Sequence, residues 1–172
     1  FVYDTYTYLP EETRNLLQNH LGAYDSQGQE HLDYTLAGER VIKYLAENTT
    51  YSKEITSSVG EQDFLQSFLE VTKEGYSVHY ATAAALMFRY YGIPSRYVEG
   101  YLITPQDVEG VLNNSSIIIG GNHAHAWVEI YRDGIGWVPF EATPPYFEVM
   151  EQDQKVEGIQ ESSPQANNPK EE

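Results

Sequence analysis

The sequence predicts an α+β fold, with helices first and an antiparallel sheet after them. Apolar residues recur at three- and four-residue spacing as far as about residue 91. Beyond Pro94 the pattern switches to period two, the signature of strands with one buried face. Between two such runs lies Arg132-Asp133-Gly134, a turn composition that closes a tight hairpin.

Residues 1–9 alternate and are aromatic, which predicts an extended segment, an edge strand. Pro10-Glu11-Glu12 then opens a helix, with proline early and acids in the first turn, and Gly22 ends it. A polar, Gly-containing loop at 25–28 follows. A second helix is expected over 31–48, with Leu32, Leu36, Val41, Tyr44 and Leu45 as its apolar stripe. A third spans 61–71 and turns Phe64, Leu65, Phe68 and Leu69 inward. After the break Lys73-Glu74-Gly75 comes the strongest helix, 78–91, whose alanines at 81, 83, 84 and 85 permit close neighbours; Gly92 and Pro94 stop it. Strands are expected over 96–103, 122–131 and 135–140. The connection 104–121 is long enough to be either functional or disordered; entering just ahead of the histidine strand, it is a candidate to flank a cleft.

A chain of 172 residues suits one domain, placed here at 1–149. From 150 to 172 it is acidic and rich in Gln, Ser, Asn and Pro, which predicts a disordered tail or linker. The net charge of −16 argues against a nucleic-acid partner, whose phosphates it would repel. There are no cysteines, so disulfides and thiolate metal sites are excluded. His123 and His125 share a strand face, yet no third ligand with metal-like spacing accompanies them, and no metal or cofactor is expected. The chain begins at Phe1 with no signal-like apolar run, and no stretch is long enough to cross a membrane. It reads as an extracellular or cell-surface domain of a larger bacterial protein, making no membrane contact itself but open to tethering by flanking segments.

Three separated segments supply a chemistry. Ser77 lies where Gly75-Tyr76 meets the 78–91 helix; serine is a favoured N-cap residue and needs no catalytic duty to sit there. The helix start nevertheless offers free amide donors and the positive end of a dipole, both suited to an oxyanion. In the hairpin, a three-residue turn would place Tyr131 opposite Ile135, and hence Glu129 opposite Trp137, Trp127 opposite Pro139 and His125 opposite Glu141. All six share one face, and directly opposite Cβ atoms lie about 4.5–5.5 Å apart, within reach of an imidazole–carboxylate hydrogen bond. Ala124, Ala126, Val128, Ile130, Val138 and Phe140 form the other, core face. Pro139 requires the last strand to be an edge or irregular. Hydroxyl, imidazole and carboxylate are the inventory of nucleophile, base and orienting acid. His79, on the first turn of the helix, and Tyr76 beside Ser77 are candidates to line the site, and Trp127 to shield the imidazole.

The runs Gly75 to Tyr101, His125-Ala126-Trp127-Val128-Glu129 and Gly136-Trp137-Val138-Pro139-Phe140-Glu141-Ala142-Thr143-Pro144 resemble, in this order, the motifs of the transglutaminase-like superfamily over roughly residues 60–145. The resemblance implies a papain-like fold, a nucleophile-bearing helix packed on an antiparallel sheet. It implies acyl transfer or amide hydrolysis on a peptide or protein substrate. Carried over by position, Ser77 takes the nucleophile slot, His125 the base and Glu141 the acid, with Tyr51 an oxyanion donor on fold analogy. The family's usual nucleophile is cysteine and its usual acid aspartate. Three readings of Ser77 stay open: a natural serine nucleophile, a cysteine replaced to inactivate the protein, or a domain that has lost catalysis and binds peptide or glycan. Retention of both His125 and Glu141 favours the first.

Overall fold

The computed structural model describes residues 1–24, 31–54, 63–112 and 114–147. The expected loop at 25–28 and tail from 150 lie outside them. Along the chain run α1 (Val2–Tyr6), α2 (Glu11–Leu21), α3 (Tyr34–Asn48), β1 (Thr50–Tyr51), α4 (Phe64–Gln66), β2 (Glu74–Gly75), α5 (Ser77–Tyr90), β3 (Ser95–Tyr101), α6 (Pro105–Val108), β4 (Ala124–Arg132) and β5 (Gly136–Phe140). The order, helices before sheet, is the one the periodicity predicts.

α5 is the centre of the molecule. Ten of its fourteen residues are buried, so its apolar positions run almost all round instead of forming one stripe. Tyr80, Ala83, Ala84, Met87 and Phe88 are fully buried in one cluster with Leu17 of α2, Ala37, Val41 and Leu45 of α3, and Val128 and Ile130 of β4. Full burial of a side chain the size of Phe88 or Leu45 stabilises the fold by roughly 1.5–3 kcal/mol. The small alanines let the sheet and the N-terminal helices approach the helix closely.

The main sheet has the order β3-β4-β5, antiparallel throughout. Ala126, Val128 and Ile130 are buried against the helices, as the alternation predicts, whereas Ala124 is exposed at the strand end. Pro139 sits on β5, an edge strand, the position its missing N–H demands. The hairpin register differs from the expected one: Tyr131 stands opposite Trp137 and Glu129 opposite Pro139. The turn is Asp133-Gly134-Ile135, closed by Ile135 N–H donating to the Arg132 carbonyl at 3.0 Å, and both Gly134 (φ 77°) and Gly136 (φ 108°) take positive φ. Because the pairing moves by two positions, every side chain keeps the face predicted for it.

Four further expectations are corrected. Residues 2–6 form a helix, not a strand, because tertiary contacts outweigh aromatic β-propensity. Tyr3 and Tyr6, three apart on one helix face, reach the hairpin: Tyr3 Oη donates to Asp133 at 2.7 Å, and Tyr6 packs edge-on against Trp137. α3 starts at Tyr34, three residues late, since Asp33 caps it by accepting from Leu36 N–H at 3.0 Å; Leu36 is therefore exposed, and Ala37 and Gly38 take the buried face. The third helix begins at Phe64 and widens into a π-helical stretch, Ser67–Thr72, in which Lys73 N–H reaches back five residues to Phe68 at 3.1 Å. Phe64 is 39% exposed, outside the core. Lastly, Ser77 is the first helical residue of α5, and Tyr76 is the N-cap.

A two-residue parallel pair, Thr50↔Glu74 and Tyr51↔Gly75, was not foreseen. Gly75 is packed so tightly there that a Cβ would lie 2.6 Å from His79 Cβ and 2.8 Å from the Phe68 ring. Gly75→Ala is expected to destabilise the fold by about 1–3 kcal/mol through overpacking, read as a lower urea midpoint with an unchanged m-value.

Candidate active site

Each element delivers one part of the site. α5 presents Ser77, which is 8% exposed, at its first turn. The Ser77 N–H has no backbone acceptor among the described residues, as expected of one of the four orphan donors at a helix start. β4 presents His125, 6% exposed, on the face away from Ala126. Glu141, 5% exposed, follows the last residue of β5.

His125 Nε2 and Glu141 Oε2 are 2.6 Å apart, a buried hydrogen-bonded pair. The shifted register means that Glu141 reaches the imidazole diagonally from beyond the strand end rather than from directly opposite. Its other oxygen, Oε1, accepts from Thr143 N–H at 2.7 Å. Both carboxylate oxygens therefore have donors, the condition under which a buried charge is tolerable. Since a carboxylate only accepts, Nε2 carries the proton shared with Glu141. That leaves Nδ1 as the lone-pair nitrogen, and no described residue hydrogen-bonds it.

Two cavities meet here. One, of about 290 Å³, is lined by Tyr51, Lys53, Tyr146, Gly121 and Asn122, together with Tyr76, Ser77, Ala124 and His125. The other, of about 410 Å³, shares the last four of these and continues along Val78, Glu99, Gly100 and Tyr101. Ser77 and His125 thus lie at the junction of both. The Ser77 hydroxyl makes no hydrogen bond to a described residue, so hydroxyl and imidazole border the same cavities without being bonded. A larger cavity, about 540 Å³, lies between α3 and β5, but it contains neither an imidazole nor a buried carboxylate, so it offers no comparable chemistry.

Tyr51 lines the first cavity, the β1–β2 pair setting it beside Gly75, two residues before Ser77. Burial, and after it the hydrogen bond with Tyr146, holds its phenol well above the ordinary tyrosine value, so it stays a protonated donor. Trp127 lines neither cavity. Its ring stacks beside His125 at 6.5 Å and 16°, lying over Gly100, where a Cβ would come within 2.8 Å of it. Tyr146, which the sequence reading missed, packs edge-on against His125 at 4.6 Å and against Tyr51 at 6.3 Å. Its signal was Pro144-Pro145-Tyr146 directly after the acid motif, a run that forms a 3₁₀ turn and folds the ring back over the imidazole.

His79 is not among the residues lining the cavities. Its Nδ1 accepts from Tyr76 N–H at 3.4 Å, and its ring stacks on Phe64 at 4.8 Å, so it secures the entrance of α5. His123 is likewise committed, with Gly120 N–H on Nδ1 at 3.1 Å and Asp107 beside Nε2 at 3.3 Å. Asp107 also accepts from Thr104 N–H at 2.7 Å, so one carboxylate ties the two ends of the 104–121 connection together beside the cleft. No group of three His, Asp or Glu side chains able to hold a metal occurs among the described residues, and none of the described helices is long and apolar enough to cross a membrane.

Residues 23–142 match the family model described as the transglutaminase-like superfamily. The YebA protein of Bacillus subtilis (strain 168) is 34% identical over 139 residues, 78% of this chain and 18% of its own length. A protein-glutamine gamma-glutamyltransferase of Pseudomonas aeruginosa is 36% identical over 83 residues, 47% of this chain and 12% of its own. The crystal structure of the periplasmic domain of TgpA from Pseudomonas aeruginosa superposes with a TM-score of 0.60 at 25% identity, covering 90% of this chain and 50% of that one. This chain therefore spans less than a fifth of these two curated relatives and half of that domain.

Burial lowers the proton affinity of His79. Its folded pKa thus lies below the unfolded value of about 6.5. The unfolded chain takes up this proton first as pH falls, so the contribution of His79 to stability is complete above about pH 6.5 and is lost in more acidic solution. In His79→Phe, the drop in urea midpoint between about pH 7.5 and about pH 5.5 should be smaller than in the parent chain; an identical drop refutes the assignment.

Proposed function

The chain belongs to the transglutaminase-like superfamily, and from that premise we propose that it performs acyl transfer or hydrolysis at an amide of a peptide or protein, with Ser77, His125 and Glu141 as its triad. The observation that carries this reading is the buried His125–Glu141 pair, which leaves Nδ1 as a base at the cavity junction that Ser77 also lines.

In this mechanism Nδ1 takes the Ser77 hydroxyl proton as Oγ attacks the amide carbon, and the carbonyl oxygen becomes an oxyanion. Glu141 holds the imidazole in the required tautomer and stabilises the imidazolium that forms. The Ser77 amide at the α5 N-terminus and the Tyr51 phenol donate to the oxyanion. As the tetrahedral species collapses, the C–N bond breaks and the leaving amine takes the proton from His125. Water or an acceptor amine then attacks the acyl carbon, passes its proton to Nδ1 and releases Ser77, whose oxygen recovers that proton. Tyr146 and Trp127 flank the imidazole and limit its access to water.

A second reading rests on the serine itself. The helix field that would favour a thiolate does far less for a hydroxyl, and Ser77 Oγ is not hydrogen-bonded to His125. In that case the chain is a non-catalytic domain whose cleft binds peptide or glycan. We place the protein outside the cytoplasm, at the cell surface as part of a longer chain with tethering supplied by flanking segments; the likeness to a domain described as periplasmic supports this.

Incubation with a glutamine peptide and a tagged primary amine, followed by mass spectrometry, tests the reading for both acceptors. Ser77→Ala and His125→Ala should abolish incorporation and hydrolysis, and Glu141→Gln should lower them by on the order of 10²-fold or more, with circular dichroism unchanged. Turnover in Ser77→Cys but not in the serine chain refutes the serine nucleophile and points to inactivation, either by replacement of a cysteine or by loss of catalysis.

A further inference from the structure

The two cavities at the Ser77–His125 junction carry opposite charge. The first is bordered by Lys53, the second by Glu99. Glu99 is an exposed carboxylate on β3, and its one described hydrogen bond is accepted at Oε1 from Tyr97 Oη. No described Lys, Arg or His pairs with it. The neighbouring cation on β3, Arg96, is instead committed to Glu129, with Nε to Oε2 at 2.7 Å. Tyr97 is held above the ordinary tyrosine value by burial first and by Glu99 second, so its hydroxyl stays a donor that orients the carboxylate. The exposed rings of Tyr76 and Tyr101 line the same cavity, and aromatic faces attract cations.

We propose that the Glu99 cavity is the acceptor subsite and that it selects an amine carrying a second positive charge, such as a diamine or a lysine with a cationic neighbour. The inference rests on the acyl-transfer reading above. By microscopic reversibility the leaving amine and the incoming acceptor use the same side of the acyl carbon, which leaves the other cavity to the acyl chain. The attacking nitrogen must be neutral to use its lone pair, so Glu99 binds not that nitrogen but the second, protonated one. The neutral amine attacks the acyl carbon, its proton passes to His125 Nδ1, the C–Oγ bond breaks, and Ser77 Oγ takes the proton. Lys53, bordering the opposite cavity, disfavours a cationic acceptor on that side.

The test compares 1,5-diaminopentane with pentylamine as acceptors for a neutral glutamine peptide, in the chain as it stands and in Ser77→Cys, each with and without Glu99→Gln. The expected result is a preference for the diamine of about two- to fivefold in kcat/KM, the range for an exposed ion pair. It should decline with added salt and fall to parity in Glu99→Gln and, in part, in Tyr97→Phe. A diamine preference that survives Glu99→Gln overturns the proposal. So does a Glu99-dependent preference for lysine-flanked glutamine peptides with no effect on the amines, which would assign the cavity to the donor. If neither chain turns over any amine, the acyl-transfer reading fails, and titration of the chain with 1,5-diaminopentane by NMR decides the subsite separately. Shifts at Glu99 and Tyr101 that vanish in Glu99→Gln support a cation subsite; absence of such shifts overturns it.

Discussion

A helix enclosed on all sides must satisfy its backbone internally and present side chains small enough for every neighbour. α5 meets both demands, and the rest of the fold is arranged by them. Its alanines permit close packing, while Phe88 meets the Phe140 ring of β5 edge-on at 4.8 Å and Tyr80 meets the Phe68 ring at 5.4 Å. Close-packed interiors have few voids and low compressibility, so burial on this scale restricts displacement of the helix. The first turn, where free amides and the helix dipole converge, is therefore fixed relative to the strand that carries His125. The end of a buried helix is where its orphan amides need partners, and here that end opens into two cavities.

The His125–Glu141 pair is the second fixed point. Two ionisable side chains, each about 3% exposed, are costly to bury, and removing one partner would strand the other. The pair persists because Glu141 also accepts from Thr143 N–H, so that strand-end backbone and imidazole share the work of solvating one carboxylate. An arrangement of this kind selects one tautomer and one ring orientation, which is of greater consequence for proton transfer than for stability. Tyr146 and Trp127 close the ring from two sides, one by a 3₁₀ turn after the acid and one by stacking along β4.

The cleft is asymmetric in origin as well as in charge. One side is assembled from segments far apart in the chain: the β1–β2 pair brings Tyr51 and Lys53 beside the start of α5, and the end of the long connection adds Gly121 and Asn122. The other side is largely local to β3, where Glu99, Gly100 and Tyr101 are consecutive. Ion pairing elsewhere sharpens the contrast, since Arg96 is engaged by Glu129 and leaves Glu99 without a cation among the described residues.

The sequence by itself determined what depends on local periodicity and on single-residue chemistry. Gly22 and Pro94 bound their helices, Pro139 required an edge, and alternation assigned His125 and Glu141 to the face opposite Ala126 and Val128. Even the wrong hairpin register preserved those faces, because side-chain alternation survives a shift of two. The tertiary structure decided whatever depended on distant partners. Aromatic residues 2–6 became a helix that meets Asp133 of the hairpin turn and Trp137 of β5. Phe64 stacks on the His79 ring instead of entering the core. His79 became a cap for α5, and Tyr51, Tyr146 and Glu99 were gathered at the cleft by a parallel pair, a 3₁₀ turn and an antiparallel ladder. Local patterns fix which way a side chain points; only packing fixes what it meets there, because contact energies between remote segments do not appear in the spacing of either one.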